Sequence, residues 1–274
     1  MVHGNNSRQE RWKSETEFFD DWAAKAEQSI VPTDPATIRR YSPPLRRKFN
    51  KEFRFLLMGN LRGKSLLDVG CGDGSNAVML AQLGALVTGI DISPKSIGLA
   101  WKRAEINGMR DSVRFCCAQL ETAHFPENSF DIIWGDAILH HLIAELDIVV
   151  RKLTVWAKPG ALLLFGEPIN FNNTLRQFRF MLPVKTDATP DERPLEPGDI
   201  DTVRKHIPDL QVRPFSLFGR LDRFILSRAN YERSVWLRRA ASNSLATLDY
   251  FLLSLPGINK LGGTAVMYGH PRKS

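Results

Sequence analysis

The chain has 274 residues, of which 43% are hydrophobic, 24% charged and 9% aromatic, so disorder, collagen-like repetition and a disulfide-stapled miniprotein are excluded. Thirty-seven Lys and Arg against 30 Asp and Glu give a formal charge of +7, which raises a nucleic-acid or lipid partner as a reading, although a mildly basic balance more often reflects a solvated surface. The three cysteines include the adjacent Cys116 and Cys117 and have neither disulfide nor C-x-x-C spacing; they read as buried thiols in a reducing compartment, and no metal is expected. No apolar run reaches the roughly 18 residues of a membrane span, and the polar start shows no export signal, which predicts a cytoplasmic protein.

Taken in chain order, Phe18, Phe19, Trp22, Ala23 and Ala26 recur at helical spacing behind Ser14, which predicts an amphipathic helix with Ser14 as its cap. Pro32, Pro35, Pro43 and Pro44 make Val31–Pro44 an extended connector, and residues 1–44 together read as a helical arm or lid outside the core. From Leu45 to Asn60, Arg46, Arg47, Lys48, Lys51 and Arg54 alternate with Leu45, Phe49, Phe53, Leu56 and Leu57, a helix with one apolar and one cationic face.

Short apolar runs then alternate with helical patterns. Strands are predicted at Ser65–Val69, Ala85–Ile90, Val113–Cys117, Phe130–Trp134 and Ala161–Phe165, with helices at Ser75–Leu83, Pro94–Asn107 and His141–Ala157 between them. Gln211–Phe218 and Thr264–Gly269 complete a seven-stranded set. The predicted fold is α/β: a doubly wound, mostly parallel sheet over residues 45–274, with helical lid inserts at about 168–196 and 221–262. No internal repeat is present.

The chemistry concentrates in Leu66-Leu67-Asp68-Val69-Gly70-Cys71-Gly72-Asp73-Gly74-Ser75, a strand running through alternate glycines into a helix. Such a turn lets a ligand approach backbone N–H groups at the carboxyl edge of the sheet. Asp91 ends the next strand, about twenty residues on, where a carboxylate meets ribose hydroxyls. Ser75 stands where a dinucleotide fingerprint has its third glycine, and Asp68 would repel a pyrophosphate but suits an ammonium group. The pattern therefore favours S-adenosylmethionine (SAM), which has no phosphate.

With these residues the chain resembles the class I, Rossmann-like SAM-dependent methyltransferases of the quinone, sterol and natural-product group. The resemblance covers residues 60–170 by motif. It implies that Asp68, Gly70, Gly72 and Gly74 surround the methionine moiety, that Asp91 binds the ribose, and that Ile92 packs on the adenine. Gln119 and Leu120 would line the adenine pocket, with Gln119 replacing the family's usual carboxylate, and Gly135 would lie beside the sulfonium. Ser93 would cap the helix from Pro94.

His140 and His141 follow the fourth strand, where similar enzymes reach the substrate; imidazole suits removal of a hydroxyl proton at neutral pH. Either is a candidate base, or else a scaffold histidine, and Asp136 is a candidate to orient one of them or to touch the methionine amine. Glu167, after the fifth strand, is a third candidate, facing the crevice to bind substrate or else tied into a salt bridge. The expected activity is methyl transfer to a small, largely apolar acceptor, with oxygen favoured over nitrogen or carbon. A binding protein without turnover and an RNA or protein methyltransferase remain open.

Phe171, Leu175, Phe178, Phe180, Met181 and Leu182, with Arg176 and Arg179, form the first insert. The second carries Arg223, Arg228, Arg233, Arg238 and Arg239 beside Phe224, Tyr231, Trp236 and Leu237. Its readings are a packed lid or homo-oligomer surface, a peripheral lipid-facing surface and, least favoured, a nucleic-acid surface.

Overall fold

The computed structural model describes residues 2–172, 193–226 and 231–271, with side chains from Arg8 onward. Its centre is the seven-stranded sheet, in the order β3-β2-β1-β4-β5-β7-β6. The strands are β1 (Ser65–Val69), β2 (Leu86–Asp91), β3 (Val113–Cys117), β4 (Phe130–Asp136), β5 (Ala157–Pro168), β6 (Gln211–Phe215) and β7 (Thr264–Gly269). The first five pair in parallel, whereas β7 runs antiparallel to both β5 and β6. The fold is the doubly wound class I arrangement. Its order reverses between β1 and β4, so the loops after these strands flank the switch-point crevice.

Alternation along the strands splits the core in two. Leu67, Ile133, Leu163 and Phe165 pack on one face, and Leu66, Ile132, Trp134 and Leu164 on the other. The first face is covered by α6 (Leu146–Trp156) and α7 (Pro197–His206); the second by α3 (Asn50–Met58), α4 (Ser75–Gln82) and α5 (Pro94–Ile106). Ser93 caps α5 as its sequence predicts, its Oγ accepting from the Ser96 N–H at 2.9 Å with Pro94 in the first turn.

Four expectations change. Helix α1 spans Val2–Glu27, so Ser14 lies inside it rather than at its cap. Long-range ties hold its polar first turns: Arg8 and Arg11 pair with Glu145 at 3.1 and 2.8 Å, and Trp12 Nε1 donates to Glu121 at 3.1 Å. The connector contains a short helix, α2 (Pro35–Arg40), capped by Asp34 accepting from the Ala36 N–H. Two short 3-10 turns, Leu139–His141 and Ile143–Glu145, precede α6, which therefore begins later than its sequence pattern suggests. Finally, α3 is confined to Asn50–Met58, because the preceding turn folds Arg46 back onto Glu52.

That last change relocates part of the positive charge. Glu52 is 1% exposed and accepts from Arg40 Nε at 2.9 Å, from the Arg46 side chain and from the Arg46 N–H at 3.0 Å. Arg54 is 4% exposed, with its guanidinium 4.4 Å from the Trp134 ring centroid. The cationic side of this helix is thus largely consumed inside the protein. In the first insert, Leu175, Arg176, Phe178, Arg179, Phe180, Met181 and Leu182 lie outside the described residues, as does Arg228 of the second.

Removing Glu52 strips the Arg46 guanidinium of its carboxylate partner and leaves Arg40 with Glu232 alone. Glu52→Ala is expected to destabilise the chain by about 3 kcal/mol, read as a lowered midpoint in urea unfolding; a change under about 0.5 kcal/mol would contradict the structural role assigned to it.

Candidate active site

The turn after β1 is built by glycine. Gly70 has φ +66°, and a Cβ there would sit 2.5 Å from Ile138 Cδ1, so glycine lets the β4 loop close onto the β1 turn. Gly72 has φ +50°, but a Cβ there would meet nothing within 4 Å: its outer side is open space. Its N–H donates to Asp91 Oδ2 at 2.8 Å, while Asp91 Oδ1 accepts from the Ser93 N–H at 2.9 Å. Burial pushes the Asp91 carboxyl up from its ordinary range, against the lowering effect of these backbone donors.

These residues border a cavity of about 350 Å³, within the usual size of small-molecule sites. Gly70, Gly72, Asp91, Ile92, Gln119, Leu120, His140 and His141 all line it. Gln119 Oε1 accepts from Thr122 Oγ1 at 3.2 Å. Helix α1 closes the outer side: Glu15 and Phe19 line the same cavity, and the Phe19 ring meets the His141 ring edge-on at 5.7 Å. Asp20 fastens that part of α1 to the start of α5, accepting from Ser93 Oγ at 2.6 Å and from the Lys95 N–H at 3.1 Å.

Glu167 requires a correction. It does not face the crevice: its buried side chain turns beneath the loop after β4 and is absent from the cavity lining. Oε1 accepts from the Ile138 and Leu139 N–H groups at 3.0 and 2.9 Å, and Oε2 lies 2.9 Å from His140 Nδ1. A carboxylate in this setting is an acceptor, so Nδ1 carries the proton and Nε2 is the basic nitrogen of the neutral ring. Glu167 is a positioning residue for His140. His141 instead offers its backbone carbonyl to Arg11 Nη1 at 2.8 Å, which ties α1 to this loop.

Three residues expected around a cofactor stand behind the cavity wall. Gly74 packs on Ala100 of α5, and Gly135 packs against Phe165 and Ile138. Asp68 is buried, and neither carboxylate oxygen accepts a hydrogen bond among the described residues. Burial raises its pKa well above the ordinary value, and Asp136 adds to this while Lys51 opposes it. Asp136 behaves oppositely: burial disfavours its charge, but Arg54 at 2.8 Å and Lys51 at 3.9 Å hold it below the usual range. Asn76 Nδ2 also donates to Asp136 at 3.1 Å.

Several lining residues escape sequence reasoning. Ala137 lines the cavity with φ +60°, a left-handed conformation that no residue type announces there. Glu15 and Phe19 belong to α1, whose only sequence signal is amphipathic spacing. Among the described residues, no group of three or more His, Cys, Asp or Glu side chains is arranged to hold a metal ion.

Residues 67–165, which run from β1 to β5 and contain this glycine turn and histidine loop, match the methyltransferase domain family. This stretch of the chain is similar to methyltransferase domains, and the sheet that carries it has their class I strand order. It is 39% identical over 107 residues to phosphoethanolamine N-methyltransferase 1 of Arabidopsis thaliana, a match covering 38% of this chain and 21% of that protein. It is 32% identical over 139 residues to the ubiquinone biosynthesis O-methyltransferase of Bordetella avium, covering 51% of this chain and 54% of the relative. The matches thus span about a fifth to a half of these relatives' lengths.

Solved structures share the fold. The cyclase SpnF superposes with a TM-score of 0.53 at 24% identity, over 81% of each chain. A SAM-dependent methyltransferase from Mesorhizobium loti gives a TM-score of 0.52 at 15% identity, over 80% of this chain and 96% of its own.

The domain family implies SAM, and the residues present fit it. The open side of Gly72 admits a ligand against backbone, Asp91 presents a carboxylate at the cavity, and Asp68 holds two acceptor oxygens with no protein donor. A buried carboxyl with a raised pKa contributes stability that is complete below the ordinary carboxylate range and drains as pH rises past it. Asp68→Asn removes that drain. The melting temperature of the variant is expected to equal that of the parent near pH 4 and to exceed it increasingly toward pH 8; a difference independent of pH would reject the assignment.

Proposed function

We propose that the chain is a SAM-dependent methyltransferase acting on a hydroxyl oxygen of a small, largely apolar acceptor. The observation that carries this reading is the Glu167–His140 pair beside the glycine turn: a histidine whose Nδ1 is held at 2.9 Å by a buried carboxylate lines the same cavity as Gly70, Gly72 and Asp91. When bound, SAM supplies an electrophilic methyl group, so the protein's work is chiefly to position the acceptor.

In this reading Asp91 binds the ribose hydroxyls, Ile92 and Leu120 pack on the adenine, Gln119 meets its edge, and the amino-acid end lies toward the Gly70–Gly72 turn, with Asp68 buried behind it. Glu167 fixes His140 in the tautomer whose Nε2 accepts the acceptor's hydroxyl proton. Phe19, Ile138 and Leu142 supply apolar lining, which favours an apolar acceptor, and Phe19 on α1 also keeps water from the reacting groups. The O-methyltransferase name of one relative supports oxygen as the methylated atom; an amine arriving neutral would need no base.

Methyl-labelled SAM incubated with the chain and a panel of phenols, catechols and hydroxylated quinone precursors tests this directly. Label is expected in a base-stable ether. His140→Ala should lower kcat by about 10²- to 10⁴-fold with little change in S-adenosylhomocysteine affinity by calorimetry. Label in a nitrogen product, or parental turnover in His140→Ala, would overturn the oxygen assignment or the base.

A separate calorimetric measurement concerns the cradle. Gly72→Ala places a methyl group in the open space beside the turn, so S-adenosylhomocysteine binding should fall at least about tenfold, more than the stability loss of about 1 kcal/mol accounts for. Parental affinity in this variant would place the ligand elsewhere.

A further inference from the structure

Helix α8 (Trp236–Leu252) is amphipathic on two sides. Its inward stripe of Ser242, Ala246 and Asp249, continued by Leu253, is buried on the domain. The Asp249 carboxylate anchors it, accepting from the Leu217, Phe218 and Gly219 N–H groups at 2.8 to 2.9 Å. A second apolar set points outward: Leu237 at 63% exposure, then Leu248, Phe251 at 62% and Leu255, spaced at helical intervals. Trp236 at 72% exposure and Val235 extend this set at the N-terminal end, and Phe224 is exposed on the preceding short helical turn. Apolar side chains of this size, so exposed on one helix and the residues flanking it, mark an interaction surface.

The exposed charge of this segment has one sign. The segment Leu221–Gly262 has three acidic residues, and all are turned into the protein. Asp249 caps backbone N–H groups, Asp222 accepts from Ser242 Oγ at 3.0 Å, and Glu232 pairs with Arg40 at 3.0 Å. Arg223 and Arg238 remain exposed beside the apolar residues. A second copy of the chain would bring the same cations against them across an isologous interface, adding repulsion to a molecule already at +7. A surface of anionic headgroups over acyl chains complements both the charge and the apolar stripe.

We propose that the outward face of α8 docks the protein on anionic lipid bilayers, with Leu237, Leu248 and Phe251 entering the headgroup boundary, Trp236 at its level and Arg223 and Arg238 on phosphates. No helix among the described residues is long and apolar enough to cross a membrane, so the mode is interfacial. The proposal stands on the surface alone and does not depend on which acceptor the cavity takes.

The test is sedimentation of the full chain with vesicles of phosphatidylcholine, alone or with about 30% phosphatidylglycerol. Binding to the anionic vesicles is expected to exceed binding to the neutral ones about tenfold and to weaken as salt rises. Leu237→Asp combined with Phe251→Asp, and separately Arg223→Glu combined with Arg238→Glu, should each reduce it at least about fivefold while the melting temperature stays within a few degrees, since all four side chains are solvent-facing. Equal partition onto neutral and anionic vesicles, or undiminished binding in both variants, would overturn the proposal. So would a dimer in sedimentation equilibrium that Leu237→Asp dissolves, or salt-sensitive retention on RNA without vesicle binding.

Discussion

The Glu167 carboxylate, buried at the end of β5, organises the crevice. Its two oxygens gather the Ile138 and Leu139 N–H groups and His140 Nδ1, so the turn leaving β4 is held against the neighbouring strand. That turn carries the left-handed Ala137, the Ile138 side chain that closes on Gly70, and both cavity histidines. A buried carboxylate with three donors is satisfied only in this arrangement, because moving the loop would strand its charge in a dry interior. The glycine turn and the histidine loop therefore come into contact through a group that never reaches the cavity.

Charge distribution follows the same logic on a larger scale. The excess of Lys and Arg suggests a broad cationic surface, yet Arg40 and Arg46 converge on Glu52, and Arg54 and Lys51 on Asp136. These pairs join the connector and α3 to the sheet edge and depress the Asp136 pKa, while nearby Asp68 is raised by burial. The pKa values of two neighbouring carboxyl groups are thus pushed apart, because Asp136 pairs with Arg54 and Lys51 whereas burial dominates at Asp68. Such a separation is common where a site must meet a charged ligand group.

Much of this organisation is legible in the residues. The strand and helix alternation gives the sheet, Ser93-Pro94 marks the start of α5, and the spacing from Gly70 through Gly72 to Asp91 brings the cavity edge together. Glu167 shows where legibility stops. In a strand buried on both faces, nearly every residue is apolar, so alternation does not reveal to which side a polar residue turns. Likewise, the polar first turns of α1 carry no periodic signal; they are held by Glu121 and Glu145, more than a hundred residues away.

The sequence by itself determined the fold class, the glycine turn after β1 and the start of α5, because each depends on local geometry: an alternating run, glycine tolerance at positive φ, a cap. Tertiary structure alone decided that Glu167 orients His140 instead of facing the cavity, that α1 seals that cavity through Phe19, and that the cations of α3 turn inward while those beside α8 stay outside. Those outcomes depend on which partners the fold places within a few ångströms, and burial makes an unpartnered charge too costly to leave to local preference.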